Sequence, residues 1–138
     1  MATSIDAGLA RLRAAADQGE LERLCIRRDV DLVVLFGSAT RQPATAADID
    51  LAIRFEHGRT GDPAAVVTDL IHLTGSDAID VMDLRRAGPV ARFEALGRGV
   101  ELLYEADPSI FAEAQMFAVR DYLDTKPLRR AQLELMGA

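Results

Sequence analysis

Apolar residues recur at helical spacing from the start of the chain: Ile5, Leu9, Leu12, Ala16, Leu21, Leu24 and Cys25. The stripe predicts one helix, or two broken near Gly19, reaching about Arg28. Arg11, Arg13, Glu20, Glu22, Arg23 and Arg27 form its solvated face. The period then changes. Asp31 to Phe36 is a short β-rich run closed by Gly37, which reads as a buried strand. Ser38 to Asp48 carries turn chemistry. Ile49 to Phe55 is a second strand, with Asp50, Ala52 and Arg54 alternating against Ile49, Leu51, Ile53 and Phe55.

Asp62-Pro63 opens a helix that runs to about Thr74 and stops at Gly75. Ala78 to Leu84 is a third strand, Pro89 to Leu96 a short helix closed by Gly97, and Val100 to Tyr104 a fourth strand. Asp107-Pro108 starts a helix through Tyr122. Pro127 is expected to interrupt it, with a last amphipathic piece reaching Met136. Alternating helices and strands give an α/β or α+β class. No repeat or long linker divides the chain, so one domain is expected: a core over 30–104, a helix before it and a helical tail over 108–137.

Composition narrows this picture. A chain of 138 residues has single-domain length, and 49% hydrophobic residues are enough to build a core. No apolar run approaches the ~20 residues of a membrane span. Met1 to Arg13 lacks a signal-peptide layout, so a cytoplasmic protein is expected. The single cysteine, Cys25, excludes an internal disulfide framework and a cysteine-based zinc site. His57 and His72 have no partners at ligand spacing; His57 reads as a surface loop residue and Cys25 as a buried thiol. The net charge of −6 disfavours a long nucleic-acid groove but not a small anionic ligand.

Three features carry candidate chemistry. Gly37-Ser38 ends a buried strand, where free backbone N–H groups and a hydroxyl can cradle phosphate oxygens. Alone, it is also an ordinary strand-to-turn Gly-Ser. Asp48 and Asp50 lie two apart and so share a strand face, with Cα atoms roughly 6.5–7 Å apart. Such a pair either stays solvated or holds a hard cation such as Mg²⁺. Asp80 interrupts an apolar strand, and burying it without a partner would cost several kcal/mol. Asp83 lies an odd number of residues on, faces the other side and reads as a strand-end cap or ion-pair residue. Together the strand-end Gly-Ser and the three carboxylates describe a two-metal phosphoryl-transfer site, with ions about 3.5–4 Å apart. Arg85-Arg86 can reach a phosphate or stay solvated, and Arg129-Arg130 can dock an acidic partner face.

Gly37-Ser38, then Asp48-Ile49-Asp50, then Asp80 resembles the minimal nucleotidyltransferase family of the DNA polymerase β-like superfamily, over about Val30 to Tyr104. The helix before the first strand and the tail with Tyr122 and Arg129-Arg130 resemble MntA-type antitoxins of HEPN–MNT modules. The resemblance implies a small mixed sheet backed by helices. It implies transfer of AMP from ATP, with Mg²⁺, to a tyrosine of a cognate HEPN ribonuclease toxin, which is thereby silenced. Gly37 and Ser38 would bind phosphate, and Arg41 matches a basic residue that can contact it. Asp48, Asp50 and Asp80 would ligate two Mg²⁺ ions and form the catalytic set. The chain departs from the family pattern at Gln42-Pro43, where a glycine often follows the arginine, and at Ala47, where a serine often precedes the first aspartate. Two other expectations stand beside this one. A weak or inactive module would neutralise the toxin by binding alone. A small-molecule nucleotidyltransferase would need a second substrate-binding wall.

Overall fold

The computed structural model describes residues 4–137; Met1–Thr3 and Ala138, and with them the first residues of the Met1–Arg13 reading, lie outside the described residues. The N-terminal stripe folds as α1 (Ser4–Gln18) and α2 (Glu20–Arg27), separated at Gly19, whose φ of 87° only glycine adopts readily. The strands are β1 (Val30–Phe36), β2 (Ile49–Phe55), β3 (Ile79–Asp83) and β4 (Glu101–Glu105). The remaining helices are α3 (Ser38–Arg41), α4 (Pro63–Thr74), α5 (Pro89–Leu96) and α6 (Ile110–Gly137). The strands form one mixed sheet in the order β3-β2-β1-β4, with β1 antiparallel to β2 and β4, and β2 parallel to β3.

Period-two alternation gives the sheet two apolar faces. Val33, Leu35, Ile49, Leu51, Ile53 and Phe55 are buried on one face with residues of α1, α2 and α4. Leu32, Val34 and Ala52 are buried on the other with Leu96 of α5 and Ala118 of α6. Asp31 would be a costly buried charge, but Arg54 grips both its oxygens, at 2.9 and 2.8 Å. Asp62 caps α4 as its sequence predicts, accepting from the Ala65 N–H at 3.1 Å.

A second ion pair ties α2 to α4. Arg28, just past α2, donates to Asp69 at 2.7 Å, with Arg27 at 3.3 Å. The hydrogen bond from Arg28 leads in holding the Asp69 carboxyl below the usual carboxylate range. Its contribution is therefore full above the unfolded pKa of ~3.9 and is lost as pH falls through the folded value. Asp69→Asn is expected to lower the melting temperature at neutral pH, by a margin that shrinks as pH falls below about 4, read by thermal melts across pH.

Three expectations are corrected. The segment after Gly37 is not only turns: Ser38–Arg41 closes one helical turn and Pro43–Thr45 a 3₁₀ turn. The last helix starts at Ile110 rather than at the Asp107-Pro108 pair, and Glu105 rather than the Asp107 side chain holds the Phe111 N–H, at 3.0 Å. Pro127 does not interrupt it; α6 runs unbroken through the proline. Side-chain donors take carbonyls in the turn before it. Thr125 donates to the Asp121 carbonyl at 2.8 Å and Arg129 to the Tyr122 carbonyl at 2.9 Å, next to the Leu123 carbonyl that the proline leaves without its ladder N–H. Among the described residues no helix is long and apolar enough to cross a membrane.

Candidate active site

The site lies at one end of the face covered by α5 and α6. Phe36, Asp50 and Asp80 stand in register there: Phe36 opposite Asp50 across β1 and β2, and Asp50 opposite Asp80 across β2 and β3. Adjacent strands are about 4.8 Å apart, so period-two geometry brings two carboxylates side by side on one face. Ile49, Leu51 and Ile53, fully buried on the opposite face, fix the strand that carries Asp50.

Gly37 closes the strand end against this pair. Its φ is +80°, and a Cβ there would lie 2.3 Å from Asp50 Oδ2. No other residue type lets the backbone pass so close to the Asp50 carboxylate. The turn is pinned by Thr40, whose hydroxyl donates to the Gly37 carbonyl at 2.7 Å. Ser38 and Arg41 follow on α3.

These residues line a cavity of about 1430 Å³. Gly37, Ser38, Arg41, Asp50 and Asp80 form its sheet-end wall, and Phe93, Arg98, Arg120 and Tyr122 lie on its α5–α6 wall. Asp48 shares the face of Asp50 by parity but is exposed and is not among the lining residues. Burial, then the charge of Asp80, then that of Asp48 push the Asp50 carboxyl above its ordinary value. Among the described residues, Asp48, Asp50 and Asp80 have no ion-pair partner, so the repulsion is uncompensated within the chain. Two adjacent, unpaired carboxylates, Asp50 and Asp80, are donors of the kind that a hard divalent cation neutralises, so this pair fits such an ion, with Asp48 standing off it. The arrangement is open: among the described residues no three His, Cys, Asp or Glu groups close into a ready metal cage.

The other candidates fall outside the cavity. Asp83 caps the Arg85 N–H at 2.9 Å and pairs loosely with Arg85 and Arg86, as its parity predicts. Arg85 donates to the carbonyls of Arg59 and Thr60, at 2.5 and 2.7 Å, which makes it a clamp on the 56–61 loop. His57 is exposed and Cys25 is buried; burial is the main cause that pushes the thiol up to about 12.

The family described as "Polymerase beta, Nucleotidyltransferase" matches residues 20–109, from α2 past β4. This chain belongs to that nucleotidyltransferase family. Solved structures show the same fold over nearly the whole chain. A chain of a toxin–antitoxin crystal structure with AMP-PNP aligns at a TM-score of 0.69 and 20% identity, covering 88% of this chain and 99% of that one. A chain of the complex of tri-AMPylated Shewanella oneidensis HEPN toxin with MNT antitoxin aligns at 0.66 and 21%, covering 91% and 99%. A chain of the MntA–HepT toxin–antitoxin crystal structure aligns at 0.65 and 20%, covering 88% and 97%. Among curated proteins, none matches the sequence.

In this nucleotidyltransferase the α5–α6 wall is the part that sequence reasoning missed. Its signal is visible in retrospect. Met116, Arg120, Leu123 and Asp124 recur at helical spacing on α6, and all line the cavity. Phe93 and Tyr122 stack there with ring centroids 4.1 Å apart, and the Arg129 guanidinium sits 4.3 Å from the Tyr122 ring.

Proposed function

We propose that this chain is an antitoxin that transfers AMP from ATP to a tyrosine hydroxyl of a cognate HEPN ribonuclease toxin. The observation that carries the reading is the meeting of Gly37, Ser38, Asp50 and Asp80 on one cavity in a member of the nucleotidyltransferase family. The fold shared with chains of toxin–antitoxin complexes, one of them with a tri-AMPylated HEPN toxin, supports the choice of acceptor. The cavity volume of about 1430 Å³ supports it too. Typical small-ligand pockets hold about 300–1,000 Å³, so a nucleotide and an acceptor side chain fit together.

The residues divide the work. The Gly37 backbone and the Ser38 hydroxyl hold phosphate oxygens, and Arg41 adds a charged contact. Asp48, Asp50 and Asp80 would hold Mg²⁺, which supplies charge neutralisation of the triphosphate and acidifies the acceptor hydroxyl. The acceptor oxygen forms a bond to the α-phosphorus as the bond from that phosphorus to the bridging oxygen breaks. Pyrophosphate leaves, and the hydroxyl proton passes to the Asp80 carboxylate. ATP labelled in the α-phosphate should label the toxin, whereas ATP labelled in the γ-phosphate should not. Label from the γ-phosphate would overturn the reading.

One observation favours a second reading. Asp48 stands off the cavity, which suits a module that neutralises its toxin by contact alone. In that case Asp50→Asn still protects cells carrying the toxin.

Mg²⁺ binding should also depend on pH in a defined direction. Asp50 must ionise to hold a cation, and its carboxyl titrates above the ordinary value. Mg²⁺ affinity is therefore expected to fall on acidification before the ordinary carboxylate range near ~4 is reached. Adding Mg²⁺ should shift the Asp50 titration back down, followed by carboxyl-carbon NMR.

A further inference from the structure

Three arginines line the cavity: Arg41 on α3, Arg98 just past α5 and Arg120 on α6. Among the described residues none of the three has a hydrogen-bond or ion-pair partner. This contrasts with the arginines that brace the fold. Arg13, Arg28, Arg54 and Arg92 each bond a carboxylate from another part of the chain. Partners for two of the free ones are close in sequence. Glu94 lies four residues before Arg98, and Asp124 four residues after Arg120; both acids line the same cavity, yet neither pair closes. A guanidinium left free beside an available carboxylate is open to a planar, bidentate anion such as a phosphate group.

The two walls have different chemistry. The sheet end presents the carboxylates Asp50 and Asp80 with Gly37 and Ser38, which suits the phosphate that reacts and the cations it needs. Facing it, α5, α6 and the turn after α5 present two unpaired guanidinium groups, Arg98 and Arg120, with Glu94 and Asp124 beside them. We infer that Arg98 and Arg120 hold the β- and γ-phosphates of the nucleotide and receive the departing pyrophosphate. The inference rests on the nucleotidyltransfer reading above and adds to it two residues outside the Gly-Ser and aspartate motifs. It makes the α5–α6 wall the element that distinguishes a nucleoside triphosphate from a monophosphate. Negative charge builds on the pyrophosphate as it leaves, so the same two groups stabilise the transition state more than the ground state.

The test is calorimetric titration of ATP and of AMP, each with Mg²⁺, into the wild-type chain and into Arg98→Met, Arg120→Met and the double variant. Both side chains are exposed, so neither substitution removes core packing. Each single variant is expected to weaken ATP binding roughly tenfold to a hundredfold, the size of a charge-assisted contact, and to leave AMP binding unchanged. Arg120→Lys should recover part of the loss, since it keeps the charge but not the fork. Equal weakening of ATP and AMP, or unchanged ATP affinity in the double variant, overturns the inference while leaving the transfer reading standing. A wild-type chain that binds neither nucleotide overturns both.

Discussion

Asp50→Asn is expected to abolish nucleotide transfer, by on the order of 10³-fold or more, while the chain stays folded. Asp50 is the one carboxylate that meets every condition of the site. It lies on a central strand, stands in register with Asp80, touches the Gly37 backbone and lines the cavity. Stabilising the charge of a transferring phosphate through a bound cation is worth several kcal/mol, and each ~1.4 kcal/mol is a factor of ten in rate. The amide keeps the size of the side chain but removes its charge. In the metal-free protein the substitution also relieves the repulsion from Asp80 and Asp48 that raises the Asp50 carboxyl. The variant should therefore melt no lower than wild type, and higher at neutral pH. Asp50→Asn that is both inactive and poorly folded would reveal a structural role instead. Asp48→Asn should have a smaller effect on melting, because Asp48 is exposed and is the least of the three influences on Asp50.

The second large effect is expected at Gly37. Gly37→Ala places a Cβ 2.3 Å from Asp50 Oδ2 at a backbone φ of +80°. With ψ at −159° the position lies in a region almost confined to glycine, and the backbone strain alone costs about 1–3 kcal/mol. The contact adds to it and forces either the turn or the Asp50 carboxylate to move. A shift of about 1 Å in a positioning group costs on the order of 10²-fold in rate. Gly58→Ala provides the control. Gly58 has nearly the same φ, +81°, with nothing within 4 Å of its would-be Cβ. Both variants should lose stability, but only Gly37→Ala should lose transfer activity. Equal activity in the two variants would show that the close approach to Asp50 is irrelevant to the chemistry.

How far the site was legible in the sequence follows from which interactions are local. Parity along a strand is local, so Asp50 and Asp80 are assigned to one face and Asp83 to the other, as the structure has them. The Gly-Ser turn is legible for the same reason, because it directly follows an apolar run. What parity does not give is depth: Asp48 shares the face of Asp50 yet stands outside the cavity, because β2 begins only at Ile49. The α5–α6 wall was not legible, because Arg98 and Arg120 are brought together by packing across residues far apart in sequence. Neither arginine belongs to a motif that the sequence singles out. Pro127 fails as a stop signal because it removes a single ladder bond, the one to the Leu123 carbonyl, from a helix of 28 residues that continues on both sides of it. The short α3 was hidden among turn-forming residues, since four residues carry no period of their own.

The central claim is that a protein tyrosine receives AMP. Its most direct test is the intact mass of the cognate HEPN toxin after co-expression with this chain, compared with co-expression with the Asp48→Asn/Asp50→Asn variant. The account predicts a gain in whole AMP units on the toxin, located on tyrosine by peptide fragmentation and absent with the variant. A toxin of unchanged mass that is nevertheless silenced in a stable complex would contradict it.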